Sequence, residues 1–261
     1  MTSAPSYVAP HGLLKGKTVL VTAAAGAGIG FSAAKRAAEE GCKALYISDV
    51  HERRLQEAVE QIKKDTGLSQ VHGLLCDVSK EEQVQALISE ADQAMGGIDV
   101  LINNAGMGTS CKVVDMSDDE WSKVIDITLT GTFRMTRAML PHMEKRGRGA
   151  IVNNASVLGW RAQKGQAHYA AAKAGVMALT RCSALEAAEN GVRINAVSPS
   201  IALHDFLKKA SSAELLEQLA SREAFGRAAE VWEVANVMIF LASDYSSYMT
   251  GEVLAVSSQQ A

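Results

Sequence analysis

Lys17–Glu40 reads KTVLVTAAAGAGIGFSAAKRAAEE. An apolar run gives way to a turn holding Gly26, Gly28 and Gly30, and then to an alanine-rich helical pattern. Such a turn can bind phosphate. Glycine lets the backbone approach a pyrophosphate, and the helix start offers free amides and the positive end of its dipole. The G-x-G-x-x-G spacing fails, because Phe31 stands where the third glycine would fall. Ala23–Ala25 follow Thr22 where a first glycine is expected. Taken alone, the stretch is a weak signal, and a plain tight turn is the alternative.

Short β-rich runs alternate with helical ones on either side. KTVLVT, ALYISD, VHGLLCD, IDVLINN, GAIVNNAS, VRINAVS and GEVLAVS read as strands. They are apolar almost throughout, as parallel strands covered on both faces should be. Between them run helical stretches, the longest from Asp118 to Arg146. Gly41, Gly67, Gly96, Gly147 and Gly191 close helices, where a left-handed residue is needed. Repeated βα units imply right-handed crossovers. The expected fold is one α/β, Rossmann-like, doubly wound domain. It has a seven-stranded, mainly parallel sheet with helices on both faces. Residues 1–12 read as a flexible tail and 13–261 as the domain. The segment 200–229 has no clear strand and reads as a substrate lid beyond a strand end.

Composition narrows the function. The chain has 261 residues, 48% of them hydrophobic, enough for a sizeable core, and a net charge of −3 that does not favour a nucleic-acid partner. No window of eighteen apolar residues predicts a membrane span, and MTSAPSYVAPHG lacks a signal-peptide pattern. Cys42, Cys76, Cys111 and Cys182 are scattered without a CxxC pair. No metal site or disulfide framework is expected, and reduced packing thiols suit a cytoplasmic protein.

Asp49 ends the second strand, nineteen residues after Gly30. An acid there accepts both adenosine ribose hydroxyls and repels a 2′-phosphate, which points to NAD over NADP. The alternative is an N-terminal acid for the helix beginning HERRL. Arg53 and Arg54 read as surface charges. Tyr169 and Lys173 are four apart in HYAAAKAGV and share a helix face. Tyrosine titrates near ~10, too high for a base at neutral pH, and an ammonium nearby lowers that value. Ser156 lies thirteen residues upstream at a strand's carboxyl end, where α/β sheets place their sites. His168 could be a second base, but adjacent helical residues diverge, so it reads as a neighbour pointing elsewhere.

With GIG at 28–30, CDV at 76–78, NNAG at 103–106, Ser156, YxxxK at 169–173 and RINAVSP at 193–199, the chain resembles the short-chain dehydrogenase/reductase family from about Leu13 to Ser257. The resemblance implies cofactor contacts from Thr22, Ala24, Gly26, Gly28, Ile29, Gly30, Asp49, Asp77, Val78, Asn104, Ala105, Gly106, Tyr169, Lys173, Pro199, Ser200 and Ile201. It implies that Tyr169 exchanges the proton, Ser156 bonds the reacting oxygen, and Lys173 holds the nicotinamide ribose. Thr128 stands in VIDITLTG where many members carry a relay asparagine, and its hydroxyl is the candidate to hold a water there. The first turn is one residue longer than the family's, and Ser200 replaces a common glycine.

TAAAG-GIG, VNNASVLGWRAQ and EAFGRAAEVWEVA resemble one subgroup, the actinobacterial hydroxy-hydroindanone-carboxyl-CoA dehydrogenases of steroid ring degradation. That likeness implies a ring alcohol or ketone on a hydroindane CoA thioester. Trp160 is a candidate substrate wall or a packing residue, and His204 and Phe206 are candidate lid contacts. Arg161, Lys164, Lys208 and Lys209 could meet CoA phosphates but read better as surface charges. The family resemblance implies a homotetramer. A 3-oxoacyl thioester reductase and a non-catalytic nucleotide sensor are the competing readings.

Overall fold

The computed structural model describes residues 3–204, 207 and 212–258. Seven strands form one parallel sheet: β1 (Thr18–Thr22), β2 (Ala44–Asp49), β3 (Val71–Leu75), β4 (Val100–Asn103), β5 (Gly149–Asn154), β6 (Val192–Pro199) and, last in the chain, β9 (Val253–Val256). Their order is β3-β2-β1-β4-β5-β6-β9. All seven expected strands are present, and the sheet is wholly parallel. Order reverses between β1 and β4, which opens a crevice at their carboxyl ends.

Side-chain alternation splits the core in two. Val19, Val21, Leu45, Ile47, Val100 and Ile102 face one side with helices α1 (Ile29–Glu39), α2 (Glu52–Thr66) and α8 (Val231–Ala242). Leu20, Tyr46, Leu101 and Ile151 face the other with α3 (Glu81–Met95), α5 (Gly131–Lys145) and α6 (Ala167–Ala188). Alanines line the buried face of α1, so it packs closely against α8. The five glycines expected to end helices all have positive φ, between 65° and 82°.

The long helical run from Asp118 is interrupted. Helix α4 (Asp118–Ile125) passes into a π-helical turn, Asp126–Thr130, before α5 begins. The wider turn carries the fully buried Thr128, and such bulges often mark functional positions.

Two segments hold structure that the sequence pattern does not announce. The N-terminal segment is irregular, and α1 binds its backbone. Arg36 donates to the carbonyls of Val8 and Ala9, and the buried Glu40 carboxylate accepts the amides of His11 and Leu13. Tyr7 packs edge-on against Trp232 at 5.4 Å and hydrogen-bonds Glu39. A buried arginine and glutamate on α1 need partners, and the segment's backbone supplies them. The segment 200–229 also contains strands. β7 (Ala202–Leu203) pairs in parallel with β8 (Ala229–Glu230), and α7 (Ala213–Ser221) lies between them. Two-residue strands leave no periodic signal in sequence.

Ala23, at φ 50°, is the one non-glycine residue with positive φ among those described. A left-handed L-residue costs roughly 1–2 kcal/mol, part of which alanine recovers by restricting the unfolded chain. Ala23→Gly should therefore stabilise the protein by about 0.5–1 kcal/mol. A guanidinium midpoint that rises with unchanged slope would bear this out; an unchanged or lower midpoint would refute it.

Candidate active site

The crevice is organised by one side chain. Asn104, just beyond β4, donates its amide to the carbonyls of Thr22 (3.2 Å) and Ala23 (3.0 Å). The Thr22 hydroxyl in turn accepts the backbone amides of Asn104 (3.0 Å) and Ala105 (3.1 Å). Asn154, at the end of β5, donates its side-chain amide to the Asn104 side-chain Oδ1 at 2.9 Å. The ends of β1, β4 and β5 are thus joined by side-chain amides. Gly30 is required by this arrangement, since a Cβ there would lie 2.3 Å from the Asn104 amide nitrogen.

The turn fits a dinucleotide. A Cβ on Gly26 or Gly28 would meet nothing within 4 Å, so the outer edge is open. Gly28 caps α1 without a side-chain bond, and the first turn holds no acid. Its free amides and dipole therefore face outward unopposed. Asp49 receives the Ala25 amide at 3.2 Å, which sets its carboxylate beside the turn. Burial raises its pKa, while the Ala25 amide and the Arg54 charge pull it back. Arg53 pairs with Glu57 on the surface, as expected of a surface charge.

Other expected cofactor residues take different parts. Ala24 is fully buried and its amide serves the Ser48 carbonyl, so it shapes the turn from inside. Asp77 caps the Ser79 amide at 2.9 Å, and Val78 is buried against Gly131. Ala105 and Gly106 follow Asn104, with Gly106 open to solvent. Pro199 ends β6, the Ser200 amide donates to the Val256 carbonyl, and the Ile201 carbonyl accepts the Ala229 amide. Ile29 begins α1.

Ser156, Tyr169 and Lys173 come together. Lys173 is buried, its ammonium 5.5 Å from the Tyr169 ring centre and hydrogen-bonded to the Asn154 carbonyl. Loss of water pushes Tyr169 up to about 12, and the Ser156 hydroxyl bond opposes that rise. The same loss lowers Lys173 to about 8. At neutral pH the phenol is therefore held neutral, while the ammonium stays mostly charged beside it. Ser156 accepts the Leu158 amide at 3.2 Å, which leaves its proton free for a second partner.

Thr128 reaches the site but spends its hydroxyl on Met107, donating to the carbonyl (3.0 Å) and accepting the amide (3.1 Å). Having one proton, it has none to pass on. Trp160 is 53% exposed on the short turn after Ser156. The His204 imidazole accepts the Leu207 amide at 3.3 Å. Phe206, Lys208 and Lys209 lie outside the described residues. Sequence reasoning missed Asn154, whose role as lysine acceptor lies in its backbone and leaves no trace in residue type.

The fold and sequence match known proteins from end to end. A family model described as Enoyl-(Acyl carrier protein) reductase matches residues 23–258. A short chain dehydrogenase structure from Mycobacterium smegmatis is 57% identical, with a TM-score of 0.88 and 99% of each chain covered. The chain belongs to the short-chain dehydrogenase/reductase family. It is an oxidoreductase of that family, acting on CH–OH groups with a nicotinamide cofactor. Two curated short-chain dehydrogenase/reductase relatives bracket it. A Mycobacterium tuberculosis protein named (5R,7aS)-5-hydroxy-7a-methyl-1-oxo-2,3,5,6,7,7a-hexahydro-1H-indene-carboxyl-CoA reductase is 61% identical, over 99% of this chain and 98% of that one. A 3-oxoacyl-[acyl-carrier-protein] reductase from Thermotoga maritima is 36% identical, over 93% and 97%. No helix among the described residues is long and apolar enough to cross a membrane.

The buried lysine has a measurable signature. Folded, it releases its proton near pH 8; unfolded, near 10.5. Between those values the unfolded chain binds more protons, so stability rises with pH. Relative to Lys173→Met, the cofactor-free protein should gain stability from pH 8 to about 9.5, read from denaturant midpoints. A flat difference would show that the ammonium is not desolvated.

Proposed function

We propose that this protein interconverts a ring secondary alcohol and its ketone on a hydroindane carried as a CoA thioester, with NAD as cofactor. The observation that carries the reading is end-to-end identity of 61% with the Mycobacterium tuberculosis reductase, together with an assembled Ser156–Tyr169–Lys173 cluster. When bound, the nicotinamide supplies or accepts the hydride. Tyr169 gives or takes the proton at the reacting oxygen, and Ser156 donates a hydrogen bond to that oxygen. Lys173 places positive charge beside the phenol, favouring its ionised form.

Asp49 supports NAD, because a carboxylate beside the turn accepts ribose hydroxyls and repels a phosphate. The segment 200–229, anchored at both ends by the β7–β8 pairing, serves as the substrate lid. His204 and the exposed Trp160 are its proposed substrate contacts. Half-exposed Trp121 on α4 and Phe133 on α5 suit an assembly of copies, which we place at four. Free cysteines suit a cytoplasmic location.

Turnover should be followed by reduced-cofactor absorbance with the hydroindane acyl-CoA ketone, acetoacetyl-CoA and their alcohols. Turnover of the straight-chain thioesters alone would replace this reading with that of a 3-oxoacyl thioester reductase. Tyr169→Phe should lower kcat by at least ~10²-fold while NADH still binds; retained activity would overturn the acid–base assignment. NAD should be preferred by tenfold or more, ~1.4 kcal/mol, and Asp49→Ala should narrow that margin. A tenfold preference for NADP would overturn the role given to Asp49.

A further inference from the structure

Helix α4 opens with Ser117-Asp118-Asp119-Glu120, the pattern of a capping box. Only half of the box is made. The Ser117 hydroxyl accepts the Glu120 amide at 3.2 Å. The Glu120 carboxylate turns away and accepts the Thr109 hydroxyl at 2.5 Å. By contrast, α8 completes the same motif with Glu230 and Glu233.

Thr109 leads to His168. The His168 ring is fully buried, and its Nε2 lies 2.7 Å from the Thr109 hydroxyl. Its Nδ1 lies 2.9 Å from the backbone nitrogen of Tyr169. A backbone N–H can only donate, so Nδ1 accepts and the ring proton sits on Nε2. Nε2–H then donates to Thr109, whose own proton is directed to Glu120. Every donor and acceptor along the chain is assigned without conflict.

Its two ends explain its purpose. The Tyr169 amide lies in the first turn of α6, where no intrahelical acceptor exists, and Gln166 provides no side-chain cap. His168 supplies that acceptor. At the other end, Thr109 belongs to the loop that covers Tyr169. A Cβ on Gly108 would lie 2.9 Å from the Tyr169 ring. Gln166 donates to the Thr109 carbonyl at 2.8 Å, and the Cys111 amide to the Gly165 carbonyl at 3.0 Å. The loop is gripped from α4 and from the start of α6.

We infer that Glu120, Thr109 and His168 form a positioning chain that sets the place of the Tyr169 ring relative to the reacting oxygen. None of the three touches the reacting atoms. They act by fixing the loop on one side of the phenol and the helix start that carries it. Displacing a catalytic group by an ångström can cost ~10²-fold in rate.

This inference rests on Tyr169 being the acid–base group, so Tyr169→Phe is run alongside as the control for that reading. Thr109→Val, Glu120→Ala, Glu120→Gln and His168→Asn are compared with the parent. Whichever of the hydroindane ketone and acetoacetyl-CoA the parent reduces is the substrate. NADH binding is followed by fluorescence, and amide exchange is followed across residues 107–111 and 167–171.

Thr109→Val and Glu120→Ala should lower kcat tenfold or more and leave the NADH Kd within twofold. Exchange should quicken in the two segments and nowhere else. Glu120→Gln keeps an acceptor oxygen and should recover kcat to within threefold of the parent. His168→Asn keeps an acceptor near the Tyr169 amide but cannot reach Thr109, so it should quicken exchange in 107–111 more than in 167–171. Parent kcat in Thr109→Val, while Tyr169→Phe is inactive, would overturn the positioning chain and spare the catalytic assignment. So would faster exchange throughout the molecule with a matching fall in melting temperature, which is the mark of a general packing defect.

Discussion

Two carbonyls leave the end of β1, those of Thr22 and Ala23, and one amide group, that of Asn104, answers both. The cleft depends on that pairing. It draws the first turn against the strand across the reversal point, where a doubly wound sheet would otherwise part. It forces glycine at position 30. It also explains how alanine is held in a left-handed conformation at position 23, since the Ala23 carbonyl is an acceptor the crevice cannot spare. Through Asn154 the same interaction continues to the Lys173 ammonium. The phosphate cradle and the proton-handling cluster are therefore parts of one hydrogen-bonded frame.

A second polar layer lies beneath. Asn103 donates to Asn153 at 2.9 Å, and Asn153 donates to Thr180 on α6 at 2.9 Å. Both asparagines are buried. The paired asparagines of NNAG and VNNAS thus divide their work. In each pair one ties the sheet to itself or to a helix, and the other faces the crevice. These buried donor bonds rigidify the core, while the Asn103 side-chain oxygen is left without a partner among the described residues. A lysine can remain buried at the end of such a frame only because a carbonyl is held rigidly for it.

Much of this was legible in sequence. Seven apolar runs, helix-ending glycines and the Tyr169–Lys173 spacing are periodic or local signals, and each maps to backbone geometry. Asp49 was legible because its strand position alone places it by the turn. That Ala24 turns its side chain inward was not legible, because residue type does not reveal which side of a turn is buried. The anchored N-terminal segment escaped notice because its partners, Arg36 and Glu40, look like an ordinary exposed pair on a helix. Likewise, His168 was seen to point away from Tyr169, but its target lay 59 residues earlier in the chain. Contacts of that range depend on the fold itself.

The short ladder between Ala202–Leu203 and Ala229–Glu230 closes the ends of the segment that follows β6. A loop closed at its base pays its entropy once, and each doubling of its length adds only about 0.6 kcal/mol. Residues between the two strands can therefore be exchanged, added or removed with little effect on the sheet. Ser156, Tyr169 and Lys173 sit on elements outside that loop. Change within the enclosed segment therefore leaves the backbone that carries the Ser156–Tyr169–Lys173 cluster as it is.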